Sequence, residues 1–138
     1  MAFLLDTNVL SELHRARPNA GVLRWLAATS PSARYVSVLC VGEIRRGIEA
    51  KRPRDSVRAA ELELWLDALL SEFESRIVNV DLAAVQKWAD IDPRGRVPAV
   101  DGLIAATAVV RSWTVVTRNV RHFEPTGVAT FNPFEAAG

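Results

Sequence analysis

A chain of 138 residues, 49% hydrophobic and 24% charged, is neither disordered nor too short to bury a core without staples. Its single cysteine excludes a disulfide framework and a thiolate metal site, and Cys40 falls in the apolar run VSVLCV, where a core role is expected. A net charge of +1 says little about partners, although fifteen of the seventeen cations are Arg, whose planar fork suits phosphate.

The chain opens with an apolar run over residues 2–5, too short for anything but a buried strand, which stops at Asp6. Val9, Leu10 and Leu13 then recur at helical spacing, with Glu12 expected on the other face. Pro18 breaks the chain, and Asn19 is placed to cap a second helix carrying Val22, Leu23, Trp25 and Leu26. Residues 35–38 read as a second strand. A helix follows in which Cys40, Ile44 and Ile48 form the buried stripe. Six cations crowd between Arg45 and Arg58, where a solvated helix face is expected and phosphate contact is the alternative. Asp55 or Ser56 caps a long amphipathic helix running to about Phe73.

Residues 76–80 read as a third strand, and Asp81 caps the helix that holds Leu82, Val85, Trp88 and Ala89. A loop over 92–98 leads into VDGLIAATAVV, a helix whose alanines allow close packing on a sheet. Residues 113–116 form a fourth strand ending in Thr117, and residues 128–131 a short edge strand. The four tryptophans all fall on apolar faces, which predicts core packing rather than base stacking. Short β-branched strands alternating with helices predict an α/β fold of three layers, α/β/α. At its centre is a parallel sheet of four to five strands whose carboxyl ends share one edge. Residues 1–138 read as a single domain. No apolar run nears the roughly 18–20 residues of a membrane span, and the opening residues read as a strand rather than a signal peptide. A reducing cytoplasm is the expected compartment, with no membrane partner.

Three acids stand out because their surroundings are apolar or small. Asp6 ends a buried strand, Glu43 lies three residues after Cys40 at the edge of the buried stripe, and Asp101 begins the small-residue helix. Singly, Asp6 and Asp101 read as helix caps worth about 1 kcal/mol each, and Glu43 as a side chain reaching for water. Together they share the sheet edge where open α/β folds bind ligands. Carboxylates that meet without a cation repel one another and raise their pKa values. A hard divalent ion removes that cost, and Mg²⁺ takes one or two carboxylates with water and substrate phosphate. Such sites drive phosphodiester hydrolysis. A phosphotransferase of the haloacid-dehalogenase type also begins with a strand ending in Asp, but it needs a second acid two residues on, where this chain has Asn8.

LLDTNVLSE at the start, VGEIRRG in the middle, VDGLIAATA, and VVTRNVRHFEPTGVATFNPF at the end occur in this order across nearly the whole chain. In this the sequence resembles the PIN-domain ribonucleases, particularly the VapC and FitB toxins of type II toxin–antitoxin systems. The resemblance implies a PIN-like fold and a metal-dependent endoribonuclease acting on structured RNA such as tRNA or rRNA. It implies Mg²⁺, with Mn²⁺ as a substitute, held by Asp6, Glu43 and Asp101, with Thr7, Asn8 and Thr117 as supporting polar residues. It further implies a homodimer and a cognate VapB- or FitA-like antitoxin that inserts a tail into the active-site groove. A non-catalytic PIN-fold RNA-binding or scaffold module is the alternative. Many PIN nucleases carry a fourth acid where this chain has Asn119, which can still orient water but adds no charge. Three carboxylates total −3, so one Mg²⁺ leaves −1 and two give +1. A second ion is therefore expected to arrive with the RNA. Arg118 and Arg121, near the same edge, are the expected phosphate contacts, while His14 and His122 are expected to take no chemical role.

Overall fold

In the computed structural model, which describes residues 1–135, the strands are β1 (Phe3–Leu5), β2 (Arg34–Ser37), β3 (Ile77–Val78), β4 (Thr114–Val116) and β5 (Thr130–Phe131). The helices are α1 (Thr7–Glu12), α2 (Ala20–Ala28), α3 (Val38–Lys51), α4 (Ser56–Phe73), α5 (Leu82–Ile91), α6 (Ala99–Arg111) and α7 (Val120–Phe123). All strand pairs are parallel, in the order β3-β2-β1-β4-β5. The chain therefore builds outward from β1 to β3, then returns to lay β4 on the other side of β1. That reversal opens a crevice between the carboxyl ends of β1 and β4, the place where such sheets bind ligands.

Helices cover the sheet in the α/β/α manner, so its strands are apolar on both faces and Leu4, Leu5, Val36, Val115 and Val116 lie at or near zero exposure. The expected stripe of Cys40, Ile44 and Ile48 is the buried face of α3, and Leu62, Leu66, Leu69 and Phe73 are that of α4. Helix α6 buries Gly102 and every residue from Ile104 to Ala108, because small side chains let it press against β4 and α5 together.

The caps are local and fall where the sequence placed them. Asn19 accepts from Gly21 and Val22 N–H, Asp55 from Arg58 N–H and Asp81 from Ala84 N–H. Other boundaries move. Ser37 accepts from Leu39 N–H at 3.1 Å, so Val38 opens α3 rather than ending β2. The third strand shrinks to two residues, losing residues 79 and 80 at its end and Arg76 at its start, where Arg76 lies in a preceding turn and its guanidinium donates to the carbonyls of Pro31, Arg34 and Glu72. Glu12 is buried rather than solvent-facing, since its carboxylate accepts from Asn19 N–H at 2.8 Å and closes the turn before α2.

None of the four tryptophans is fully buried. Trp25 packs edge-on to Phe3, Trp65 meets His14, and Trp113 stacks on Tyr35. In the Arg45–Arg58 stretch the solvated-face reading holds for the side chains that pair. Arg45 and Arg52 both reach Glu63 of α4, and Arg58 reaches Glu61.

Candidate active site

Asp6 leaves β1 at its carboxyl end and is only 5% exposed, so its charge must be met locally. One carboxylate oxygen accepts from Thr7 N–H at 2.8 Å, which caps α1. The other accepts from the Thr117 hydroxyl at 2.8 Å and from Asn8 Nδ2 at 3.3 Å. Thr117, fully buried at the end of β4, also accepts from Asn8 Nδ2 and from Asn119 N–H. Asn8 Oδ1 in turn accepts from Arg118 N–H at 3.1 Å. The crevice between β1 and β4 is thus laced shut below Asp6 by side chains 111 residues apart.

Glu43 sits in the second turn of α3, exposed, and accepts from the Thr7 hydroxyl at 2.6 Å. Asp101 occupies the first turn of α6, but Pro98 is that helix's N-cap position, so Asp101 does not cap. Its carboxylate makes no hydrogen bond and no ion pair among the described residues.

Burial holds the Asp6 carboxyl above its ordinary pKa. The hydrogen bonds from Thr117 and Thr7 oppose that rise, and the charges of Asp101 and Glu43 add to it. Asp101 is also raised, by burial and then by Glu43, against the pull of His122. The three acids therefore lie within electrostatic reach of one another, and none has an Arg or Lys partner among the described residues. Oxygen donors with uncompensated charge are the set that suits a hard divalent cation. Ligand atoms of Asp6, Glu43 and Cys40 lie within 4.8 Å of one another, while Asp101 stands outside that group and acts on it through its charge. Burial pushes the Cys40 thiol far up, and Sγ donates to the Leu5 carbonyl at 3.7 Å, so it stays protonated and belongs to the core.

The remaining residues are less drawn in. Asn119 joins through its backbone alone, and its exposed side chain makes no hydrogen bond among the described residues. Arg118 lays its guanidinium over the Phe134 ring at 4.6 Å, and Arg121 is exposed on α7. His14 lies apart, between Trp65 and the Arg58 guanidinium. Burial and that cation lower its pKa. It lines a cavity of about 240 Å³ that opens beside Thr7 and Glu43 and is floored by Ile44 and Trp65. His122, on α7, acts electrostatically on Asp101.

The PIN domain family model matches residues 3–127. The chain is 34% identical to the VapC ribonuclease Y4jK of Sinorhizobium fredii, over 97% of its own length and 99% of that protein. It is 36% identical to toxin FitB of Neisseria gonorrhoeae, over 95% and 97% of the two chains. The crystal structure of FitAcB from the same organism superposes with a TM-score of 0.87 at 35% identity, covering 96% of this chain and 98% of that one.

Proposed function

The chain belongs to the PIN-domain family, and on that premise we propose that it is an endoribonuclease, the toxin of a type II toxin–antitoxin pair. The observation that carries this reading is the group of three carboxylates without an Arg or Lys partner among the described residues at the β1/β4 switch point. Asp6, Glu43 and Asp101 would hold Mg²⁺, with Mn²⁺ as a substitute. A divalent ion there supplies positive charge to a scissile RNA phosphate and makes water a better nucleophile at neutral pH.

The protein's own part is orientation. Thr117 and Asn8 fix one Asp6 oxygen and Thr7 N–H fixes the other, so this carboxylate is preorganised before any ligand arrives. The Thr7 hydroxyl holds Glu43, while Asp101, with no protein hydrogen bond, keeps its lone pairs for a ligand. Asn119 is assigned to ordering water and Arg118 and Arg121 to phosphate contact. The similarity to toxin FitB supports a cognate antitoxin of the VapB or FitA type as the partner. Structured RNA such as tRNA or rRNA is the proposed substrate, the cytoplasm the proposed site of action and a homodimer the proposed assembly. Among the described residues, no helix is long and apolar enough to cross a membrane.

The test is RNA cleavage by the purified free chain with Mg²⁺, with a chelator, and after Asp6→Asn. Cleavage should need the ion and fall by at least about a hundredfold in the variant, as when a group stabilising transition-state charge is removed. A folded wild-type protein that binds RNA without cutting it under any divalent ion would point instead to a non-catalytic module.

A further inference from the structure

Helices α5 and α6 pack against each other and are joined by a short loop, so they run antiparallel. The last turn of α5, the loop over 92–98 and the first turn of α6 therefore share the edge that carries the acids. The loop is built in advance. Asp92, 7% exposed, accepts from Arg96 N–H at 2.8 Å and Val97 N–H at 3.1 Å. Gly95 takes φ +64 and returns its N–H to the Asp92 carbonyl. Trp88 presses on the start of α6 so closely that a Cβ on Gly102 would lie 2.8 Å from the indole nitrogen. Gly102 is the residue after Asp101.

Two cavities open here side by side, of about 190 and 480 Å³, and they share Asp92 and Pro93. Arg94, Arg96 and Pro125 line the first, and Trp88, Ala89 and Gly95 the second. Both guanidiniums are exposed and have neither a hydrogen bond nor an ion pair among the described residues. That sets them apart from Arg45, Arg52 and Arg58, which are engaged with glutamates across α3 and α4.

We propose that this face is a nucleotide subsite of the RNA strand flanking the scissile phosphate. Arg94 and Arg96 hold backbone phosphates, and Trp88 with Pro93 receives an unpaired base. The inference rests on the endoribonuclease reading. A phosphate at Asp101 brings its neighbours along the strand past the turn that Trp88 buttresses. Paired Arg forks are the side chains that grip phosphate. An aromatic face beside them suits the splayed bases of single-stranded RNA, which stack without regard to sequence. An acidic peptide would find the same cations but has no use for the aromatic wall.

The test measures binding of a short labelled single-stranded oligoribonucleotide to the full chain carrying Asp101→Asn, with and without Arg94→Ala and Arg96→Ala together. The arginines are exposed, so the variant is expected to fold as its parent does, which circular dichroism checks. Affinity should fall at least about tenfold. The slope of log K against log salt should shrink by about 1.4, at ~0.7 for each single-strand phosphate that an arginine no longer neutralises. Unchanged affinity and slope, while the wild-type chain cleaves RNA, overturn the subsite and leave the nuclease standing. A loss confined to antitoxin binding also overturns it, making the loop a protein-docking surface. A folded wild-type chain that neither binds nor cleaves RNA removes both readings together.

Discussion

Asp6 and Asp101 hold more charge than their surroundings favour. Folding raises both carboxyls above the ordinary 3.8, by burial first and by neighbouring acids next. Between the ordinary and the raised value the folded chain binds more protons than the unfolded one, so stability falls as pH rises through that window, and the cost persists at neutral pH. Removing the charge at Asp101 should therefore raise the melting temperature of the metal-free protein at pH 7 while eliminating cleavage. A capping role would instead leave stability nearly unchanged, because Asn caps a helix about as well as Asp. Divalent ions should stabilise the wild type at pH 7, and less so as pH falls into the window where the ligands take up protons. Thermal scans of Asp101→Asn and wild type, with and without Mn²⁺ across pH, read all of this. A metal-free variant that melts lower than wild type would count against the uncompensated-acid account.

At the scale of the element, α6 is the piece on which the proposed site depends most, because Asp101 is placed by backbone alone. Nothing but the packing of its first turn aims that carboxylate. Gly102→Ala would drive a methyl into the Trp88 indole, with contacts of 2.8 and 2.9 Å that force the ring or the helix to shift. Overpacking of this kind costs about 1–3 kcal/mol, more than the ~1 kcal/mol that Ala gains over Gly in a helix. Gly42 in α3 is the control, since nothing lies within 4 Å of its Cβ position. Urea titrations should show Gly42→Ala gaining stability and Gly102→Ala losing it, with RNA cleavage reduced in the second. Equal gains in both would mean that Trp88 does not clamp the turn.

For the whole molecule, the sheet order gathers the negative pit at one edge, and a free nuclease of this kind would harm its own cell. An inhibitor that brings an Arg or Lys into the pit would supply the charge the acids lack. The neighbouring cavity, walled by Thr7, Glu43, Ile44 and Trp65, offers an apolar seat for the chain on either side of it. Co-expression with the cognate antitoxin should yield a complex that purifies intact and does not cleave RNA. Exchanging the inserted base for a neutral residue should weaken inhibition more than removing a cation at the rim, because it leaves the acids uncompensated. A purified pair that cuts RNA as fast as the free chain would leave an ordinary processing nuclease as the better account.

Whatever is decided within a few residues can be read directly from the chain. The parallel α/β layout follows from apolar runs alternating with helical stripes. Asn19, Asp55 and Asp81 are legible as caps because a cap bonds only two or three residues ahead. The three acids were legible as a group through their motifs and their shared sheet edge. The rest depends on how distant elements pack. Nothing near Glu12 in sequence announces that its carboxylate would be buried closing the turn at Asn19. Whether Arg45 and Arg52 face phosphate or Glu63 depends on how α3 lies along α4. That Asp101 is left without a bond while Asp6 is held by Thr117 depends on which strand neighbours β1, a matter of pairing across more than a hundred residues. Local propensity spans a turn or two of chain, whereas the partners of a buried charge are set by the packing of elements that meet only in the folded state.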